Sequence, residues 1–180
     1  LEPWEAVIGL ETHVQLNTKS KIFTSASTAF GDEPNTHIDP VVCGLPGTLP
    51  VLNKTVLEYA VKTSLALNLN VAEQCKFDRK QYFYPDLPKN YQISQFDLPV
   101  GLNGELEIVL GENKDYIQIE RVHMEEDTGK SSHSGSGRIE SATSTALDFN
   151  RSGVPLVEIV TKPVISSSKQ AVAYIEELRQ

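Results

Sequence analysis

The chain has 180 residues, of which 39% are hydrophobic and 22% are charged, as is typical of one globular domain with a core of ordinary size. Its formal net charge of −8 excludes a broad basic surface, so any contact with RNA is predicted to be local or to lie outside this chain. The longest apolar runs are too short to cross a bilayer, and no membrane is expected as a partner.

The first third of the sequence predicts a strand, a loop and a helix. Period-two alternation predicts a strand over 4–16, with Glu11 and His13 together on its polar face. Residues 30–50 carry many glycines and prolines and predict a loop. Asn53 is a predicted N-cap for a helix over 54–69. The apolar positions at helical spacing are Leu57, Ala60, Val61, Leu65 and Leu69.

The middle of the sequence favours strands. Short strands are predicted over 71–77 and 81–84, followed by a proline-containing loop over 85–92. Residues 105–110 and 115–124 predict a hairpin around Gly111-Glu112-Asn113-Lys114.

The last third predicts a serine- and glycine-rich mobile loop over 131–144, then strands over 145–149 and 154–160. Ser167 and Gln170 form a capping-box pattern for a final helix. That helix is predicted to bury Ala171, Ile175 and Leu178, and because the chain stops inside it we expect a longer natural protein. Strands outnumber helices without alternating with them, so the predicted class is α+β, with helices packed on a mainly antiparallel sheet.

Two clusters of carboxylate and imidazole groups are candidates for a metal site. Glu11 and His13 are two residues apart on one strand face, and His123 and Glu125 are arranged likewise. If the two strands are neighbours, Glu11, His13 and Glu125 converge on a site that suits Mg²⁺ or Mn²⁺. A solvated face and an exposed acidic turn are the alternatives.

Residues 77–95 mix aromatic side chains with arginine, lysine and amides, a composition that can stack bases and hold phosphates. A packed surface with solvated charges has the same composition. The phosphate-binding pattern GxxxxGK[ST] does not occur in the sequence, which argues against a P-loop nucleotide site.

Four segments in order resemble one family. They are Val7-Ile8-Gly9-Leu10-Glu11-Thr12-His13-Val14-Gln15-Leu16, residues 77–95, His123-Met124-Glu125-Glu126-Asp127-Thr128-Gly129-Lys130, and Leu147-Asp148-Phe149-Asn150-Arg151-Ser152-Gly153-Val154-Pro155-Leu156-Val157-Glu158-Ile159. The family is the B subunit of aspartyl/glutamyl-tRNA(Asn/Gln) amidotransferase, GatB, and the likeness extends over essentially the whole chain. Thr128 and Asn90 depart from residues usual in the family, and neither is a proposed ligand.

The resemblance implies a catalytic cradle domain related to glutamine synthetase and guanidino kinases, of which residues 1–180 are the amino-terminal part. It implies phosphorylation, with ATP and Mg²⁺, of the side-chain carboxylate of Glu-tRNA(Gln) or Asp-tRNA(Asn). Ammonia from a glutaminase A subunit then gives the amide, in a heterotrimer with a C subunit. The implied compartment is the cytoplasm in bacteria, and a mitochondrion or chloroplast in eukaryotes.

The resemblance also implies roles for single residues. Glu11, His13 and Glu125 resemble the magnesium ligands and catalytic groups, and Lys80 and Lys89 resemble residues along the ammonia channel. Residues that resemble active-site support, with turn-holding as the alternative for the signature positions, are Glu126, Asn150, Arg151 and Glu158.

Two other functions fit less of the sequence. One is a non-catalytic module that only docks on the A subunit. The other is a free-standing ligase that acts on small acids without RNA.

Overall fold

The computed structural model describes residues 4–135 and 139–180. Along these residues the α-helices and strands are β1 (Glu11–Gln15), α1 (Lys54–Ala66), β2 (Asn70–Val71), β3 (Asp78–Gln81), β4 (Tyr91–Ser94), β5 (Gly101–Leu110), β6 (Asn113–Glu126), β7 (Lys130–His133), β8 (Thr145–Asp148), β9 (Pro155–Thr161) and α2 (Ser168–Leu178). The predicted α+β class with mainly antiparallel strands is confirmed, while the relation to a glutamine synthetase-like cradle stays a prediction.

The main sheet has five strands in the order β1-β9-β6-β5-β2, and every neighbouring pair is antiparallel. Two smaller sheets consist of β3 with β4 and of β7 with β8. The long hairpin of β5 and β6 confirms the predicted hairpin, although both strands extend further than the sequence pattern indicated. The last strand along the chain, β9, lies between the first strand and β6.

One face of the main sheet carries the core. Val122, Met124, Val157 and Ile159 are at most 2% exposed and pack against α1 in one hydrophobic cluster. Tyr174 of α2 belongs to a second cluster, with the other fully buried members Ile108, Ile117 and Ile165. Because side chains alternate along a strand, this leaves His123, Glu125 and Glu158 on the opposite face.

A register shift in β6 between Ile119 and Arg121 lets one strand serve both hydrophobic clusters. Ile119 and Val122 are three residues apart yet both are fully buried, which an unbroken period of two forbids. A bulge inserts the extra residue and restores the alternation, so that Arg121, His123 and Glu125 all lie on the face opposite Val122 and Met124.

Both predicted helix starts are confirmed. Asn53 accepts a hydrogen bond from Thr55 N at 2.9 Å, and α1 ends at Ala66 rather than at 69 because Asn68 adopts a left-handed φ of 55°. Leu65, in the last turn of α1, is 61% exposed.

The final helix begins at the predicted cap. Ser167 Oγ accepts from Gln170 N at 3.2 Å, while Gln170 Oε1 accepts from Ser166 N at 2.9 Å. The reciprocal bond of the predicted capping box therefore goes to the residue before the cap. Tyr174 is the fully buried residue of α2, whereas Ile175 is 36% exposed, so its predicted burial was wrong.

Three strand predictions were wrong in their limits. The predicted strand 4–16 is regular only from Glu11 to Gln15, with an isolated bridge from Ile8 to Ile165 further back. In place of the predicted strands 71–77 and 81–84, the structure has the strands β2, β3 and β4. The ends of β3 and β4 differ from the prediction because these two strands pair with each other, and this pairing determines where each one begins and ends. Part of the predicted loop 131–144 is strand β7, a 3₁₀ helix spans Ile139–Ser141, and residues 136–138 lie outside the described residues.

Within the described residues, neither helix combines the length and the apolar character that spanning a membrane requires.

Candidate active site

Three neighbouring strands present one polar row across the sheet. His13 of β1 is paired in register with Glu158 of β9, and Glu158 is paired with His123 of β6. Directly opposite residues of antiparallel strands lie on the same face, so the three side chains converge. Glu125 joins them from the next position of β6 on that face.

The side chains of this row are in direct contact. His13 Nε2 lies 3.0 Å from Glu125 Oε1 and 3.5 Å from Glu158 Oε2. His123 Nε2 lies 2.9 Å from Glu158 Oε2 and 3.6 Å from Glu125 Oε2. His123, Glu125 and Glu158 are buried, whereas the side chain of His13 is 48% exposed, so the cluster is open to solvent from the β1 side.

The electrostatics of the cluster favour a positive charge. Burial by itself lowers the pKa of His123, but hydrogen bonds to Glu125 and Glu158 outweigh it and raise the pKa above its usual value. The hydrogen bond from His123 outweighs burial at Glu158 and lowers the pKa of that carboxyl. His123 and Glu158 thus each favour the charged form of the other.

Arg121 opposes the protonation of His123. Its Nε donates to His123 Nδ1 at 3.3 Å, a contact that requires an unprotonated Nδ1. The carboxylates on Nε2 favour the charged ring and Arg121 favours the neutral ring with hydrogen on Nε2. Either form keeps Nε2 as a donor toward Glu158.

The donor set fits a divalent cation. Among the described residues, His13, Glu125 and Glu158 form the group of ligand atoms that all lie within 4.8 Å of one another. Two carboxylates and one imidazole leave coordination positions for water and phosphate oxygens, as Mg²⁺ or Mn²⁺ requires. The structure thus brings two of the three predicted ligands together and adds Glu158.

Glu11 stands one same-face position further along β1, opposite Val160, and is not in that group of three. The sequence placed it with His13 because both lie on one strand face, and Glu11 does line two cavities that adjoin the cluster. The convergence of His13 with Glu125 does not need adjacent strands, since β9 lies between β1 and β6 and the side chains meet above it.

Two cavities adjoin the cluster and share Glu11, Lys80, Glu125 and Glu158 as lining residues. The first cavity has a volume of about 560 Å³, and its lining otherwise consists of Asp78, Arg79, Ser94, Gln95, Phe96, Arg121 and His123. The second cavity has a volume of about 540 Å³, and its lining otherwise consists of His13, Gln15, Tyr82, Gln92, Asp127, Thr128 and Leu156.

The two lysines that resemble channel residues have different surroundings. Lys89 is nearly buried, forms an ion pair with the buried Glu126, and lies over the Tyr91 ring at 5.5 Å. Lys80 is exposed, and within the described part of the chain its side chain makes no ion pair or hydrogen bond. Lys89 is therefore held in place, whereas Lys80 is a free cation at the border of both cavities.

Glu126 and the signature residues Asn150 and Arg151 hold the framework. Glu126 accepts from Ile93 N at 2.9 Å and so ties β4 to the end of β6. Asn150 Nδ2 donates to Glu33 O at 2.8 Å, and Arg151 donates to the carbonyls of Thr128 and Gly129. For Asn150 and Arg151 these contacts agree with the turn-holding alternative.

Sequence reasoning assigned no role as ligand or active-site support to two polar residues of this face, His123 and Arg121. His123 was seen to project with Glu125, and the period-two spacing of the two residues was the signal that could have included it. Arg121 follows the same spacing after the bulge, but the bulge itself has no clear mark in the sequence.

Comparison with known proteins gives one consistent family. A model of the family described as "GatB/GatE catalytic domain" matches residues 6–180. A protein of Prochlorococcus marinus subsp. pastoris, named as the B subunit of aspartyl/glutamyl-tRNA(Asn/Gln) amidotransferase, is 71% identical over 100% of this chain. Proteins of the same name from Synechococcus sp. and Parasynechococcus marenigrum are 66% and 65% identical over 99% and 98% of the chain.

The chain spans 38% of the length of the first relative and 37% of the other two. The match covers nearly every described residue, including the three strands of the polar row. The chain therefore belongs to the GatB/GatE catalytic domain family.

Proposed function

We propose that this chain is the part of an amidotransferase B subunit that activates the side-chain carboxylate of Glu-tRNA(Gln), Asp-tRNA(Asn) or both, with ATP and Mg²⁺. Ammonia released by a glutaminase A subunit then converts the activated carboxylate into the amide. The observation that carries the proposal is the His13, Glu125 and Glu158 cluster, which lies in a chain that matches this family from end to end.

The chemistry of the cluster supports phosphoryl transfer. A carboxylate is a poor electrophile, and an acyl phosphate supplies the leaving group that ammonia can displace. Phosphoryl transfer depends on positioning and on cations rather than on a protein nucleophile. The site offers carboxylates, imidazoles and nearby basic groups, in agreement with this requirement.

His13, Glu125 and Glu158 would hold the divalent ion. When bound, the ion would neutralise phosphate charge and orient phosphate oxygens. His123 keeps the Glu158 carboxylate oriented through its 2.9 Å contact, which is the usual role of a group behind a metal ligand. Lys80 lines both cavities and forms no ion pair with any other described residue, so its charge is available to a phosphate or carboxylate bound there.

Lys80 and Lys89 are proposed to line the ammonia path, for which their likeness to the family's channel residues is the support. The Lys89–Glu126 pair is buried next to β4 and would present polar groups in a closed passage. Partners proposed for the complete protein are the A subunit, the C subunit and the mischarged tRNA.

The test uses the full-length protein copurified with its A and C partners. ATP cleavage is measured with Glu-tRNA(Gln), with Asp-tRNA(Asn), with the uncharged tRNAs and with free glutamate. The proposal expects cleavage that depends on Mg²⁺ and on a charged tRNA. Cleavage driven by free glutamate would instead support a small-acid ligase, and a complex that assembles without any cleavage would support a docking module.

A further inference from the structure

We infer that Gln95 is a positioning residue for the carboxylate cluster: its side chain takes the place of a neighbouring strand beside Met124 and so fixes the backbone that carries Glu125. The inference rests on the proposed function, because Glu125 is one of the three groups proposed to hold the divalent ion. The hydrogen bonds at the end of β6 support this role.

Among the described residues, the end of β6 is paired with a strand on one side only. β5 begins at Gly101, which is paired with Val122, so β5 reaches no further along β6. β9 stays paired on the other side as far as Glu126. Residues 123–126 therefore have one edge whose N–H and C=O groups need partners from elsewhere, because buried backbone groups left unpaired cost free energy.

The side chain of Gln95 supplies one of these partners. Gln95 Oε1 accepts a hydrogen bond from Met124 N at 3.0 Å. Gln95 Nε2 donates to Lys76 O at 3.2 Å and to Leu98 O at 3.4 Å, and the residue is 3% exposed. Because the amide group is bonded at both ends and excluded from water, its position is fixed, and Met124 N is fixed with it.

Three residues of β4 hold the position on the other side of Glu125. Gln92 Nε2 donates to Glu126 O at 2.7 Å, and Ile93 N donates to Glu126 Oε1 at 2.9 Å. Ser94 Oγ donates to Glu125 Oε2 at 3.4 Å. Glu125 is therefore placed between two neighbours that are both anchored to the same segment of chain.

This anchoring matters because the cluster depends on short distances. Glu125 Oε1 lies 3.0 Å from His13 Nε2, and the ligand atoms of His13, Glu125 and Glu158 all lie within 4.8 Å of one another. Groups behind metal ligands set the orientation of those ligands, and their loss lowers metal affinity. Gln95 also lines the first cavity, but its amide is already bonded within the protein, so its effect on the ion passes through Met124 and Glu125.

A purely structural role is the alternative, because Met124 is fully buried in the core. Loss of the bond to Gln95 would then lower stability and leave metal binding intact. A glutamine that makes similar bonds elsewhere separates the two roles. Gln170 of α2 accepts from Ser166 N at 2.9 Å, donates to Asp115 Oδ2 at 2.7 Å, and lines neither of the two cavities at the cluster.

The experiment uses the complete amidotransferase complex with Gln95→Met, which roughly keeps the shape of the side chain and removes its hydrogen bonds. Gln170→Met is the matched control. Gln95→Asn is a milder second variant, because its shorter side chain keeps the amide but does not reach Met124 N. Binding of Mn²⁺ alone is measured by electron paramagnetic resonance, and amide hydrogen exchange is followed in residues 123–126. The Mg²⁺ dependence of tRNA-dependent ATP cleavage is the third measurement.

We expect Gln95→Met to weaken Mn²⁺ binding about tenfold, the size typical of losing a group behind a metal ligand. Exchange in residues 123–126 should become faster, since Met124 N loses its partner. The Mg²⁺ concentration for half-maximal cleavage should rise about tenfold, while the rate at saturating Mg²⁺ stays within about twofold of wild type. Gln95→Asn should act in the same direction, and Gln170→Met should lower the melting temperature without changing Mn²⁺ binding.

Wild-type Mn²⁺ affinity in Gln95→Met would overturn the inference and leave Gln95 a structural role. Equal weakening of Mn²⁺ binding by Gln170→Met would overturn it too, because the loss would then follow general instability. If Gln95→Met does not assemble into the complex, the same two outcomes are read from Gln95→Asn. The proposed function fails by a different result, namely wild-type ATP cleavage that charged tRNA does not stimulate.

Discussion

The two faces of the main sheet use alternate residues of the same strands for opposite purposes. Val122, Met124, Val157 and Ile159 are covered by helices, and their burial favours the folded state. On the other face, His123, Glu125 and Glu158 are also buried, yet they are polar and mutually dependent.

This difference shows that burial alone does not identify what a residue does. A buried apolar side chain contributes to stability wherever water is excluded from it. Two neighbouring buried carboxylates lower stability unless a cation or a protonated imidazole compensates, and a fold retains such groups where chemistry requires them. Variants on the two faces should therefore separate stability from activity.

The largest effect is expected from Glu125→Gln. Replacing this proposed metal ligand should lower tRNA-dependent ATP cleavage by the complex about a thousandfold, because the amide cannot supply the negative oxygen. The free energy of unfolding should change by about 1 kcal/mol or less, since shape is kept and repulsion with Glu158 is relieved. Glu112→Gln in the exposed β5–β6 turn is the control, and an equal loss there would contradict the assignment.

On the covered face, Ile119→Ala should reduce the free energy of unfolding by about 3 kcal/mol, since Ile119 is fully buried and its loss leaves a cavity. Chemical denaturation of the chain followed by circular dichroism measures this change. The KM values of the complex for ATP and charged tRNA should remain at wild-type levels. A substrate-specific KM change without loss of stability would break the contrast between the faces.

Lys21 is a third kind of buried residue, because it is a buried lysine that belongs neither to the hydrophobic clusters nor to the polar row. It is fully buried and donates to His37 O at 2.7 Å and Phe149 O at 3.2 Å, so it joins two loops. Burial lowers the pKa of Lys21 from 10.5 to about 8, despite the opposing attraction of Asp39 and Asp148. Between pH 8 and 10.5 the unfolded chain therefore binds a proton that the folded chain does not.

Stability due to Lys21 consequently rises with pH across that window, by an amount on the order of 3 kcal/mol. Chemical denaturation gives the free energy of unfolding of the wild type and of Lys21→Met at about pH 7.5 and about pH 10. The difference between the two proteins at each pH isolates the contribution of Lys21, because the other titrating groups are the same in both. The wild type should gain stability relative to the variant at the higher pH. A difference that is independent of pH would mean that the two carbonyls keep the lysine charged.

The smallest effect on stability is expected from Glu11→Ala. Glu11 is exposed at the edge strand, so the melting temperature should shift by no more than about 2 °C, while ATP cleavage by the complex falls about tenfold. Glu5→Ala, another exposed carboxylate before the same strand, is the matched control. A large drop in melting temperature for Glu11→Ala would count against a role at the cavities.

Much of the local structure was predictable from the sequence. Asn53 and Ser167 were recognisable caps because short polar side chains satisfy free N–H groups, and both helices begin there. The β5–β6 hairpin was visible from alternation around Gly111. Strand limits were less predictable, as β3 and β4 show, because pairing with a distant segment sets where a strand ends.

For the site, alternation along single strands was enough to pair Glu11 with His13 and His123 with Glu125 on their faces. The sequence by itself thus determined which side chains share a face, which loops are turns and which family the chain resembles. These properties are set by bonds and contacts between residues close together in the chain.

Only the tertiary structure decided that β9 inserts between β1 and β6, which brings Glu158 to the centre of the cluster and leaves Glu11 at its edge. The order of strands in a sheet depends on the free energy of packing the whole core. No local pattern encodes that order, because residues 13, 125 and 158 become neighbours only when the complete sheet has formed.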